Sequence, residues 1–193
     1  QGDGCTTLIE DVTASDLDGN FLTTYSYSWP GSYELADVEA SNISTASGAD
    51  SAIYSYGYYE DTQIWLSQVT IDGTGYGDGV EVTPYDYSSY TATFSIDLSD
   101  VQIINAAENG ITLSTERTEA TIDTTQVEGS GKYGIYANEA WLELVDSQIT
   151  LSGLSGVYLE NATGDITGTS TSSNADYGWY CIDAELDTCI DNI

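Results

Sequence analysis

Two segments of this chain place oxygen ligands at spacings that suit a hard cation. Asp16-Leu17-Asp18-Gly19-Asn20 sets Asp16, Asp18 and Asn20 at alternate positions around a glycine. Asp72 and Asp78 bracket the glycine-rich run Gly73-Thr74-Gly75-Tyr76-Gly77. Calcium is held by several such oxygens on a flexible loop. The same residues also make ordinary Asp/Gly turns, and the first segment lacks the trailing Glu of an EF-hand. Calcium is therefore a candidate ligand and no cofactor is required. Zinc is disfavoured, because histidine is absent and the cysteines fall at inward positions.

Aromatic residues concentrate in the first half of the chain. Tyr25, Tyr27, Trp29 and Tyr33 form one group, Tyr54, Tyr56, Tyr58 and Tyr59 a second, and Tyr85, Tyr87 and Tyr90 a third. Glu60, Asp61 and Asp86 stand among them. Tyrosine offers flat apolar area with a hydroxyl at its edge, which suits stacking on a sugar ring or docking on a protein. The competing reading is that the rings fold down as cover for the connections that carry them. Tyr27, Trp29, Tyr56, Tyr58, Tyr85 and Tyr87 are the candidate binding residues.

Most enzyme classes lack their parts. Without histidine there is no Ser/His/Asp or Cys/His nucleophile system, and no phosphate-binding or dinucleotide fingerprint is present. Arg117 and Lys132 stand against 32 carboxylates, for a formal charge of -30. Such a surface repels nucleic acid, anionic lipid and polyanionic sugar and attracts cations. It suits a saline setting, where ions screen self-repulsion. No apolar run is long enough to span a membrane as a helix. Gln1 as first residue and the lack of methionine read as a processed mature chain or an excised fragment of a larger secreted protein.

The elements that would position these residues show as a ladder. An amide or acid precedes a β-branched residue at Asp11-Val12, Asn42-Ile43, Gln68-Val69, Asp100-Val101, Gln126-Val127, Gln148-Ile149 and Asp165-Ile166. Five residues before these anchors stand Val38, Ile64, Ile96, Ile122 and Leu144, and offsets of two are strand geometry. A second marker, a small residue before an apolar one, recurs at Ala52-Ile53, Gly79-Val80, Gly110-Ile111, Gly134-Ile135, Gly156-Val157 and Gly178-Trp179. A further inward residue follows two places on, at Val82, Leu113, Ala137, Leu159 and Cys181. The glycines imply a corner that needs a special φ or close clearance. Each repeat thus holds about three short strands, and corresponding strands of successive repeats would pair in parallel. A β-sandwich would alternate too, but needs no common register across seven segments. Residues 1–193 read as a single domain.

In these anchors and Gly-Ile markers the chain resembles the right-handed parallel β-helix repeat of the pectate-lyase-like superfold. It departs by using Gln and Asp as often as Asn, placed directly before the anchor. The resemblance spans about Cys5 to Cys189 and implies an all-β solenoid of roughly seven to eight coils. Its enzymes use calcium held by acids with a basic residue, or clustered aspartates acting on a glycosidic bond. For the first route only Arg117 and Lys132 are at hand, both at turns. For the second, Asp100 and Asp165 belong to the ladder, and Asp123 and Glu143 point outward.

Three functions remain open. One is a non-catalytic, secreted or cell-surface module for display, adhesion or assembly, with glycan or a cell-surface protein as partner and end-to-end self-association. Another is a carbohydrate-active enzyme, a polysaccharide lyase or glycoside hydrolase, supported by fold analogy alone. An ice-binding face would use Thr13, Thr70, Thr150 and Thr167, but Ser44, Gln102 and Glu128 interrupt that column. Cys181 and Cys189 could bridge the last repeat or could be buried fillers, as Cys5 is expected to be. Asn42 and Asn161 head N-glycosylation acceptor patterns, and Asn42 reads as part of the ladder.

Overall fold

A computed structural model describes residues 5–17, 19–26, 30–43, 51–57, 60–75, 77–85 and 91–186. All regular structure among them is β-strand. The chain passes back and forth between a twelve-stranded and a seven-stranded sheet, and every pairing is parallel. The first three repeats are β1 (Cys5–Ser15) with β2 (Leu22–Ser26), β3 (Gly31–Ile43) with β4 (Ser51–Gly57), and β5 (Thr62–Thr74) with β6 (Asp78–Val82). From there the long strand divides in two at a bend. The next repeats are β7 (Phe94–Ser99), β8 (Gln102–Ile104) and β9 (Ile111–Ser114), then β10 (Thr118–Asp123), β11 (Gln126–Glu128) and β12 (Ile135–Asn138). After these come β13 (Trp141–Val145), β14 (Gln148–Thr150) and β15 (Val157–Glu160), then β16 (Thr163–Thr167), β17 (Ser170–Ser172) and β18 (Trp179–Ile182), and finally β19 (Glu185–Leu186). The seven-stranded sheet runs β2-β4-β6-β9-β12-β15-β18.

The bend explains three anchors of the ladder, Asp11-Val12, Gln68-Val69 and Asp100-Val101. Asp11, Asp37, Gln68, Asp100, Thr124 and Asp146 all adopt positive φ, and glycine takes over at Gly168. Four of the six are aspartates, whose short polar side chain bears that left-handed conformation at lower cost than a branched one; Gln68 and Thr124 lack that advantage. A second positive-φ corner, at Asp16, Asn42, Gly73, Asn105, Gly129, Leu151 and Ser173, ends the same strand or strand pair. A third, at Thr115, Glu139, Asn161 and Asp183, follows the seven-stranded sheet.

Having two similar corners on one strand displaces part of the expected register. Val12 pairs with Val38, not at the level of Ile43, and Val38 pairs with Val69. Val127 lies opposite Ile103 rather than Val101, and Ile166 opposite Leu144, before the bend. The inward columns are Ile64-Ile96-Ala120-Leu142, Leu66-Leu98-Ile122-Leu144-Ile166 and Ile71-Ile103-Val127-Ile149. Every one of these residues is buried. Each large aliphatic side chain so buried contributes about 1.5–3 kcal/mol relative to exposure.

The marker residues keep their predicted register throughout. Ile53, Val80, Ile111, Ile135, Val157 and Trp179 form one inward column across the seven-stranded sheet. Val82, Leu113, Ala137, Leu159 and Cys181 form the next. The glycines before them have ordinary φ and are there for clearance. A Cβ on Gly110 would lie 2.3 Å from Val127 Cγ1 and 2.6 Å from the Gly134 carbonyl oxygen.

Hydroxyls form a polar stack at the bend. The Thr125 N–H donates to Ser147 Oγ at 3.1 Å and the Ser147 N–H to Thr169 Oγ1 at 3.2 Å. Cys181 is disulfide-bonded, so it is not the free buried filler that was the alternative. Cys189, its expected partner, lies outside the described residues, as does the side chain of Cys5.

Candidate functional site: a tyrosine face on the seven-stranded sheet

Alternation along β12, β15 and β18 sends Ile135, Val157 and Trp179 inward, and so sends Tyr136, Tyr158 and Tyr180 outward. The three tyrosines occupy one register position on adjacent strands and stack. Ring centroids are 5.5 Å apart for Tyr136 and Tyr158 and 5.3 Å for Tyr158 and Tyr180, with interplanar angles of 24° and 25°. Tyr133 lies 4.7 Å from Tyr158 and 5.8 Å from Tyr136, and Tyr177 lies 5.4 Å from Tyr180. Ring pairs at this spacing are mutually attractive. Their outer edges stay open: Tyr177 is 56% and Tyr180 37% exposed. Tyr133, Ser155, Tyr158, Asp176, Tyr177 and Tyr180 line a groove of about 290 Å³.

The same outward column continues through Thr112, Glu81 and Tyr54 to Thr23. At that end Tyr54 stacks on Tyr56 at 5.1 Å, and Tyr56 meets Tyr25 at 4.7 Å. Two aromatic groups therefore occupy opposite ends of one sheet face. Between them Glu81 is held by Ser51 Oγ at 2.5 Å and Thr83 Oγ1 at 3.1 Å.

Of the six candidate binding residues, Tyr56 and Tyr85 are described. Tyr27, Trp29, Tyr58 and Tyr87 lie outside the described residues. Tyr56 sits in the first aromatic group. Tyr85 follows β6 and runs beside the end of β4, its N–H donating to Gly57 O at 3.0 Å. Tyr33 is half-buried against the core and acts as cover. Asp61 caps a neighbouring connection, accepting the Thr93 N–H at 2.8 Å.

The second aromatic group was missed from sequence, although its signal is present. Tyr133-Gly134-Ile135-Tyr136, Ser155-Gly156-Val157-Tyr158 and Tyr177-Gly178-Trp179-Tyr180 repeat one pattern around the marker glycine. The residue after the inward apolar one must face out, so three tyrosines there make a ladder.

The hydroxyls of Tyr136 and Tyr158 are held above the usual tyrosine value, chiefly by burial and then by the Glu160 carboxylate. They stay protonated and able to donate at physiological pH.

The proposed calcium ligands have separate surroundings. Asp16 is a positive-φ corner residue, and Asp18 lies outside the described residues. Asn20 donates to Thr23 Oγ1 at 2.9 Å. Asp72 accepts from Asn105 Nδ2 at 3.1 Å. Asp78 is buried at the start of β6 and accepts the Asn109 N–H at 2.7 Å. Burial pushes its carboxyl up to about 6; hydrogen bonds from Thr112 and Asn109 oppose the shift, and Glu81 and Glu108 add to it. Among the described residues no three His, Cys, Asp or Glu side chains converge to hold a metal ion.

Both bases have structural partners. Lys132 pairs with Glu108, which raises its ammonium above the ordinary lysine value. Arg117 donates to the carbonyls of Ala92 and Tyr85. Among the acids of the enzyme reading, Asp100 is a bend residue, and Glu143 and Asp165 are register neighbours on the outer side of the larger sheet.

Comparison with known proteins finds no matching family model, no matching curated protein and no matching solved structure. Among the described residues no helix is long and apolar enough to cross a membrane.

Proposed function

We propose that the chain is a non-catalytic, right-handed parallel β-helix of about seven to eight coils that displays a tyrosine face for recognition. It works in surface display, adhesion or assembly, in a secreted or cell-surface setting of appreciable salt. The carrying observation is the in-register stack of Tyr136, Tyr158 and Tyr180, with Tyr133 and Tyr177 at its side. A rigid sheet fixes the rings before a partner arrives, so little ordering cost is left to binding. Their hydroxyls suit the hydroxyls of a neutral glycan, and their faces suit C–H-rich sugar surfaces or an apolar protein patch. The charge of -30 disfavours anionic polymers. The same ring-and-hydroxyl chemistry recurs at Tyr25, Tyr54 and Tyr56, so a long or repetitive partner engages both ends of the face.

A neutral-glycan array run beside a reducing-end assay tests this reading. Capture of a neutral glycan without release of reducing ends supports it. Turnover of any polysaccharide would replace it with the carbohydrate-active enzyme reading.

A further inference from the structure

We propose that a groove at the third corner of the repeat, lined by Thr115, Glu116, Glu139, Trp141, Asn161 and Thr163, binds a small organic ammonium ion. The site is independent of the tyrosine face and lies on a different part of the fold. It is an open groove of about 580 Å³, with Glu116, Glu139, Trp141, Asn161 and Thr163 exposed to solvent.

The repeat builds it. Thr115, Glu139 and Asn161 are the positive-φ residues of three successive corners, at φ 78°, 60° and 51°. Their backbones stack: the N–H groups of Thr115, Glu139 and Asn161 donate to Asn138, Glu160 and Ile182 carbonyls at 2.9, 2.8 and 2.9 Å. The corners are therefore fixed, and the side chains on them hang over one groove. Trp141 opens β13 between Glu119 and Thr163 and is 37% exposed. The side chains of Glu116, Glu139 and Asn161 have no hydrogen bond or ion pair to another described residue.

An exposed indole with two carboxylates and an amide beside it defines the ligand by charge. A cation over the indole face is attracted by the ring quadrupole, and the carboxylates accept charge-assisted hydrogen bonds from an ammonium. Asn161 adds an acceptor for a hydroxyl or a second N–H. The overall charge of -30 raises the local concentration of any cation, but an inorganic ion gains nothing from the indole's apolar area. A protonated amino sugar and a quaternary amine share the required chemistry, and the probes below separate them.

The test uses the whole chain, following the four tryptophan indole N–H signals by NMR, with the Trp141 signal assigned through Trp141→Phe. Glucosamine hydrochloride and tetramethylammonium chloride are titrated separately, with sodium chloride at matched ionic strength and glucose as controls. A saturable shift of the Trp141 signal with either ammonium, and with neither control, is expected. A shift with both probes means that the charge and indole contact suffice. A shift with glucosamine alone means that the ammonium N–H donors are required. The double variant Glu116→Gln/Glu139→Gln, checked for an unchanged indole spectrum without ligand, should weaken binding at least about tenfold. Three outcomes overturn the proposal: no saturable shift, an equal shift with glucose or sodium, or undiminished binding in the double variant. Replacing Tyr136, Tyr158 and Tyr180 should leave this titration unchanged, so failure here and failure at the tyrosine face are read separately.

Discussion

Gly134 lies directly beneath Ile149: a Cβ built on Gly134 would sit 2.1 Å from Ile149 Cγ2 and 2.6 Å from the Gly156 carbonyl oxygen. The marker glycine of one repeat is thus the floor for the inward aliphatic column of the larger sheet. Gly134→Ala forces the two sheets apart locally and should cost at least about 1–3 kcal/mol, the usual range for overpacking. Ile149→Ala alone leaves a cavity and should cost about 2–5 kcal/mol. The double variant should cost clearly less than the sum, because the new methyl enters the vacated space. Rescue is partial, since the clash with the Gly156 oxygen remains. Urea unfolding of the four proteins measures the coupling, and strict additivity would show that this contact is not what demands glycine.

Asp78 gives a pH prediction with a definite sign. Its folded-state value of about 6 lies above the ordinary 3.8, so the native state favours the protonated form. The stability this contributes is fully present below the unfolded value and is lost as pH rises through about 6. Above that, ionising the buried carboxyl costs on the order of 3 kcal/mol as an upper figure. Asp78→Asn keeps an acceptor for the Asn109 N–H and removes the charge. The variant should melt above the wild type at pH 7–8, and the difference should shrink towards pH 4. The differential matters, because protonating the other carboxylates relieves repulsion in both proteins alike. A difference in melting temperature that does not vary with pH would contradict the assignment.

The charge of -30 predicts a melting temperature that rises with salt, because exposed carboxylates repel one another beyond contact distance until the Debye length falls to about 10 Å near 0.1 M. Asp72 and Asp78 already accept hydrogen bonds from Asn105 and Asn109. Calcium and sodium should therefore stabilise similarly at matched ionic strength. A sub-millimolar calcium increment that survives Asp72→Asn and Asp78→Asn, and disappears in Asp16→Asn, would relocate the effect to the Asp16, Asp18 and Asn20 segment.

Among the described residues strand β1 pairs on one side only, with β3. Leu8 is 51% exposed, and Ile9 and Val12 are only half-buried, while their neighbours Leu35 and Val38 are 0% and 2% exposed. An open parallel edge with apolar residues is a template for another strand. Head-to-tail association at this edge is expected once salt screens the charge, and Leu8→Lys should shift the protein towards monomer. Light scattering across a concentration series reads it, and a monomer throughout in the unsubstituted protein would count against the edge as an interface.

Much of the fold was legible because two constraints write themselves into residue type. Clearance at the sheet-to-sheet corner admits only a small residue, so Gly79, Gly110, Gly134 and Gly156 marked the register without error. The bend demands positive φ, which Asp11, Gln68 and Asp100 signalled. The ladder slipped at Ile43 because Asn42 serves a second positive-φ corner that has the same local chemistry as the first. It slipped again at Val127 and Ile149, since Thr124 and Asp146 make the bends there while Gln126 and Gln148 merely face outward. The tyrosine ladder was harder to see for a different reason. Long aromatic connections drew the reading to Tyr27, Trp29, Tyr58 and Tyr87, whereas the stacked rings lie inside strands, one per repeat, and look sparse until the register is known.

The central claim is that Tyr136, Tyr158 and Tyr180 act as one binding surface. The most direct measurement is the affinity of the best neutral glycan from the array, taken for the unsubstituted chain and for Tyr136→Ser, Tyr158→Ser, Tyr180→Ser and the triple variant. All three side chains point away from the core, so the variants should keep the cooperative melt of the parent. The account predicts a loss of about fivefold or more for Tyr158→Ser, the middle ring of the ladder, and no measurable binding for the triple variant. A triple variant that stays folded and binds as well as the unsubstituted chain would contradict it.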